Sequence, residues 1–174
     1  MPRRRRGPLE ECPYHVFNRA VRRATLFEND AEYAEFEDIL GQVLQRDPNR
    51  VLAYSAIRTH WHLVVWPSDR TALPRFMHRL TLRDALRWHR NRGTAGTGPV
   101  YQGRYKAVPI DSDENLLNAL RYVERNALAA GIVGRAEDWR WCSLWRRIHH
   151  RGAPILSDWP FPVPSDWLVS INRP

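Results

Sequence analysis

The chain has 174 residues, 43% of them hydrophobic, which is enough for one domain with its own core and too apolar for a disordered chain. No apolar run approaches the ~20 residues that cross a bilayer, none follows the basic start Met1 to Gly7, and the isolated Cys12 and Cys142 lack ligand spacing. A membrane span, a secretory leader and a cysteine zinc site are therefore not expected, and a reduced, cytoplasmic and nucleoid-associated setting is. With 27 Lys+Arg against 19 Asp+Glu the net charge is +8, and every cationic side chain except Lys106 is arginine. Arginine contacts phosphate bidentately and stacks on bases, so with eight tryptophans the balance points to nucleic acid, single strands especially. Arginine-favouring codon usage is the competing explanation, and the placement of the arginines has to decide.

Residues 1–13 form a basic arm that includes Arg3 to Arg6. Tyr14 to Arg19 reads as a first strand, followed by a loop with Arg22 and Arg23. Asn29 or Asp30 caps a helix reaching Arg46, with Tyr33, Phe36, Ile39, Leu40 and Val43 at helical spacing. Asp47-Pro48-Asn49 stops it. Val51 to Ile57 and the segment from His60 to Pro67 form a hairpin. A second helix runs from Leu73 to about Asn91, and a glycine-rich loop leads to a fourth strand within Val100 to Ile110. Asp111 or Ser112 caps a third helix that ends at Gly131. The order β-α-β-β-α-β, followed by a further helix, predicts an α+β, ferredoxin-like antiparallel sheet with helices on one face. Residues 1–150 are read as the domain and 151–174 as an irregular Pro/Trp-rich tail packed on it.

Within the hairpin, His60 and His62 stand at i and i+2 and project to the same face of their strand, while Trp61, Leu63 and Val65 take the other. Two imidazoles side by side can hold one metal ion, or each can be a structural, hydrogen-bonded histidine. On the third helix, Leu116, Leu120, Val123 and Ala127 make the apolar stripe, and Tyr122 lies about 200° around from Leu120. Asn126, one turn on, shares its face. An amide oxygen could be a third ligand and a phenol a nucleophile over the histidine sheet, although Tyr122 could equally be a solvated surface residue. Imidazoles alone favour zinc, whereas an amide oxygen plus phosphate shifts the expectation toward Mg2+ or Mn2+.

Arg75, Arg79, Arg83 and Arg87 recur at i+4 along the second helix, with Arg90 near the same face. Like charges so spaced repel, and a polyanion would offset that repulsion. Tyr101-Gln102-Gly103-Arg104-Tyr105-Lys106 interleaves aromatic and cationic side chains suited to bases and phosphates. Cys142 reads as a packing residue and His149-His150-Arg151 as solvated.

Taken in order, Tyr14 to Arg19, Thr59 to Val65, Val100 to Lys106, Tyr122 to Ala127, Ala130 to Val133 and Trp139 to Ser143 resemble the single-tyrosine HUH transposases, most of all the REP-associated tyrosine transposases. The resemblance covers residues 8 to 150. It implies that His60 and His62 are the paired metal ligands, that Asn126 takes the third ligand position, and that Tyr122 is the nucleophile. It implies a Mg2+- or Mn2+-dependent, ATP-independent endonuclease and strand transferase on single-stranded DNA beside a REP-like hairpin, through a 5′-phosphotyrosine. Arg19, Arg22, Arg23, Arg75, Arg79, Arg83, Arg87, Arg104 and Lys106 are then the expected DNA contacts. A homodimer is compatible with the sequence. Two departures from the family pattern are Ala127, where proline is frequent, and the short tail. The alternative is a non-catalytic nucleic-acid-binding module with an RRM-like sheet.

Overall fold

The computed structural model describes residues 12–149 and 155–173. The basic arm through residue 11, and His150 and Arg151, lie outside the described residues. The elements are β1 (Tyr14–Arg19), a 3-10 turn (Val21–Arg23), α1 (Asp30–Arg46), β2 (Asn49–Ile57), β3 (His60–Pro67), α2 (Ala72–Arg92), β4 (Lys106–Pro109), α3 (Asp113–Glu124), α4 (Asn126–Ala129), a second 3-10 turn (Ala136–Asp138), α5 (Ser143–His149) and α6 (Trp167–Asn172). The sheet order is β2-β3-β1-β4, antiparallel throughout, which is the expected split topology. The Asn29 side chain accepts from the Glu32 amide to start α1, and Ser112 accepts from the Asn115 amide to start α3.

Both faces of the sheet are covered, not one. Val16, Tyr54, Trp61, Leu63 and Val65 pack with Phe36, Leu40, Phe76 and Leu80 of α1 and α2. Leu52, Ala53 and Val64 pack on the other face with Leu116, Leu120 and Val123 of α3 and with the tail. A bulge in β2 makes this possible. Val51 pairs with Val65 and Ala53 with Val64, so Leu52 is the extra residue and shifts the side-chain alternation. The Leu52 carbonyl accepts from Trp159 Nε1 and the Arg147 guanidinium, which ties the tail to the sheet. The tail is less irregular than expected, because it ends in α6, whose Trp167 donates to Glu124 on α3.

Most of the tryptophans are anchored within the protein by their indole N–H groups. Trp61 donates to the Tyr101 hydroxyl, Trp88 to Thr25 O, Trp139 to Ala56 O and Trp141 to Asp30 Oδ1. Cys142 packs in the second core, where burial pushes its thiol up to about 12.

The arginine stripe on α2 is also largely structural. Arg87 is 2% exposed and ion-paired to Asp84, which is fully buried, so Arg87 cannot be a DNA contact. Arg79 pairs with Asp47 at 2.6 Å, Arg75 reaches Asp47 and Asp69, Arg83 bonds Gln42 and Arg90 pairs with Glu35. Periodicity within α2 showed like charges, but the counter-charges come mostly from α1 and its C-terminal stop. Breaking a buried pair leaves the other charge uncompensated, at a cost of about 3–5 kcal/mol. Arg87→Ala is therefore expected to lose about that much stability in urea unfolding, whereas Arg83→Ala, on the surface, should change it by less than ~0.5 kcal/mol.

Candidate active site

Antiparallel register decides which side chains share the α3 face. Phe17 pairs with His62, Arg19 with His60 and His15 with Val64. On the other side Lys106 pairs with Phe17 and Val108 with His15. His15, Phe17, Arg19, His60, His62 and Lys106 therefore converge on one surface, and Tyr122, in the last turn of α3, lies against it. The result is a cleft of about 470 Å³, whose other lining residues are Asn18, Gln102, Gly103 and Arg104. Among the described residues no Asp or Glu lines it, while Arg19, Arg104 and Lys106 do, so the cleft favours an anion.

The floor of the cleft is aromatic. The His60 and His62 ring centroids are 5.1 Å apart, and Tyr122 sits edge-on to both His62 and His15 at 5.4 Å. Phe17 stacks on His62 at 5.3 Å with the Lys106 ammonium above its ring. Each paired histidine uses Nδ1 locally. His60 Nδ1 is 3.0 Å from Thr59 Oγ1, and His62 Nδ1 is 2.8 Å from His15 Nε2. This leaves both Nε2 atoms as the free ring nitrogens.

Burial, with the Arg19 charge nearby, lowers the His60 pKa to about 4. Burial, then the neighbouring His15, His60 and Arg19, lowers that of His62 to about 2, and burial also lowers His15. Neutral imidazole is the form that binds metal.

His15 is the residue that sequence spacing missed. Its signal was available in the alternation of β1, but only the cross-strand register places it beside His62.

Asn126 behaves differently from the expectation. α3 ends at Glu124, and Asn126 begins α4 after a break at Arg125. Tyr122 is 53% exposed, whereas Asn126 is 7% exposed and is not among the residues that line the cleft. Its Oδ1 is buried without a hydrogen-bond partner. Among the described residues, no group of three His, Cys, Asp or Glu side chains could enclose a metal ion. A metal here would need the two imidazoles, the unpartnered amide oxygen and ligands from solvent or substrate, a mixed nitrogen and oxygen donor set.

Of the other expected DNA contacts, Arg19, Arg104 and Lys106 line the cleft. Arg22 and Arg23 are exposed just beyond Arg19, both at positive φ (50° and 58°), a conformation that costs energy for non-glycine residues. Tyr101 is buried, with its hydroxyl bonded to Asp84 and Trp61, and it does not offer a ring to a base. The strand begins only at Lys106, so Gln102 to Arg104 form a loop over the cleft.

An α+β split sheet brings a helix-borne tyrosine, paired histidines and cations together in one cleft. A family model described as "Transposase IS200 like" matches residues 9–126, and the chain belongs to that family. The fold is similar to a REP-associated tyrosine transposase solved bound to a REP hairpin. The TM-score is 0.66 at 17% identity, covering 95% of this chain and 94% of that one. A putative transposase from Deinococcus radiodurans R1 is a more distant match, with TM-score 0.48 and 17% identity over 71% of this chain and 96% of that one. No curated protein matches the chain significantly.

The depressed histidine pKa values carry a sign. The folded state resists protonation that the unfolded chain accepts below its ordinary value near 6.5, so this stability is present above pH 6.5 and lost as pH falls. The window runs from 6.5 to about 4 for His60 and to about 2 for His62. Each group contributes a slope of at most ~1.4 kcal/mol per pH unit. Urea unfolding at pH 7 and pH 5 should show a smaller loss of stability for His62→Gln than for wild type. Equal losses would contradict the assignment.

Proposed function

We propose that this protein is a single-strand DNA endonuclease and strand transferase in which Tyr122 is the nucleophile. The observation that carries the reading is the placement of the Tyr122 ring against His62 and His15 in a cleft lined by cations and, among the described residues, by no carboxylate. The Tyr122 oxygen would form a bond to phosphorus while the bond to the leaving 3′-oxygen breaks, giving a 5′-phosphotyrosine and a free 3′-hydroxyl. Attack by a second 3′-hydroxyl would reverse the chemistry on a new strand. The phosphotyrosine conserves the bond energy, so the reaction needs no ATP.

His60, His62 and Asn126 would hold a Mg2+ or Mn2+ ion, which when bound supplies Lewis-acid polarisation of the scissile phosphate. Arg19, Arg104 and Lys106 bind and orient the strand's phosphates, and Phe17 offers an apolar ring for a base. Asn126 is buried and is not among the cleft-lining residues, and its unpartnered Oδ1 is the atom that would serve as ligand. The similar structure is of a protein bound to a REP hairpin, which makes a DNA hairpin with a single-stranded flank the first substrate to try. Exposed Arg22 and Arg23, and the solvent-facing Arg75, Arg79 and Arg83, are secondary contacts in this reading.

The test is incubation with labelled hairpin oligonucleotides and Mn2+, followed by a denaturing gel. A covalent adduct is expected that disappears with chelator and falls at least ~10³-fold in Tyr122→Phe. Binding without an adduct across several such hairpins would instead identify a non-catalytic binding module.

A further inference from the structure

We infer that His15 is a positioning residue for the proposed metal site: it accepts the His62 Nδ1 proton and so leaves the lone pair of His62 on Nε2. The inference rests on the reading of His60 and His62 as ligands.

His15 Nε2 and His62 Nδ1 are 2.8 Å apart. A nitrogen–nitrogen hydrogen bond of that length contains one proton and one lone pair. Two arrangements satisfy it. In one, His62 donates from Nδ1, its Nε2 is bare, and His15 keeps its own proton on Nδ1. In the other, His15 donates from Nε2, and neutral His62 carries its proton on Nε2, where it cannot ligate. Only the first produces a metal ligand.

Ligating histidines usually give their second ring N–H to a carboxylate, a backbone carbonyl or water. Here the partner is another imidazole. A carboxylate at residue 15 would orient His62 as well, but would place a negative charge in a cleft that has none and that faces phosphate. A neutral imidazole orients without that charge. His60 lacks such a fixed partner, because its Nδ1 meets the Thr59 hydroxyl, which both donates and accepts.

The ring of His15 is itself held on three sides. It lies within 27° of the His62 plane with centroids 5.1 Å apart, as the hydrogen bond between their edges requires, contacts Phe17 at 5.2 Å, and meets Tyr122 edge-on at 5.4 Å. The residue that sets the His62 tautomer thus also forms part of the seat of the tyrosine.

The experiment compares imidazole tautomers by long-range proton–nitrogen NMR in the metal-free full chain, for wild type, His15→Phe and His15→Gln. His15→Phe keeps a ring for Phe17 and Tyr122 to pack on, but removes the acceptor. The side-chain oxygen of glutamine in His15→Gln restores an acceptor. Wild type and His15→Gln are expected to show His62 protonated at Nδ1, and His15→Phe to show a mixture or the Nε2 form. Mn2+ affinity, measured by water-proton relaxation, should fall about 10–100-fold in His15→Phe and recover in His15→Gln. His62 protonated on Nε2 in wild type would overturn the inference, as would an unchanged tautomer and affinity in His15→Phe. Wild-type protein that takes up no Mn2+ would overturn the metal reading itself and this inference with it.

Discussion

Antiparallel pairing of β1 with β3 is the constraint on which the site depends. It sets Phe17 opposite His62 and Arg19 opposite His60, and β4 extends the same face with Lys106. Side chains alternate with a period of two, so a slip of one residue would send His15, Phe17 and Arg19 into the α1–α2 core and bring Val16 and Asn18 out. The register is held by burial, because Val16, Trp61, Leu63 and Val65 all require the core side. Trp61, between the two histidines, is tied by its indole N–H to Tyr101, and Tyr101 to Asp84. The hydrophobic demand on one face of β3 thereby fixes the chemistry on the other.

The arginines divide into two populations. On α2, Arg75 and Arg79 pair with Asp47 and Arg90 with Glu35, Arg83 bonds the neutral Gln42, and Arg87 is wholly interior. Those around the cleft meet no carboxylate among its lining residues. Cationic charge without a lining carboxylate is thus found at the cleft, even though the densest arginine pattern lies elsewhere. A phosphate-bearing ligand is attracted to the side where cation charge is left unneutralised. The tail works from behind: Trp167 and Ser143 both donate to buried Glu124, two residues from Tyr122, and so brace the end of α3.

The features legible in the sequence were those that depend on local pattern. The Asn29 cap, the strand from Tyr14 to Arg19, the histidine strand and the apolar stripe of α3 all follow from periodicity and capping chemistry. Partners distant in sequence were hidden. Nothing in α2 alone shows that Asp47 and Glu35 would claim its arginines, and nothing in β1 alone places His15 beside His62. Helical spacing put Asn126 one turn after Tyr122, but it could not show that Tyr122 is exposed while Asn126 is buried. The tryptophans suggested base stacking by composition, while the indole N–H groups of Trp61, Trp88, Trp139, Trp141, Trp159 and Trp167 are bound to carbonyls and side chains of the protein itself.

The account centres on Tyr122 as the residue that bonds to DNA, and peptide mapping of the covalent adduct tests this most directly. Protein incubated with a hairpin oligonucleotide and Mn2+ would be digested with nuclease and protease, and the nucleotide-bearing peptide sequenced by mass spectrometry. The account predicts one modified peptide, with the phosphate on Tyr122. A phosphate on Tyr105 or on any other residue would contradict it.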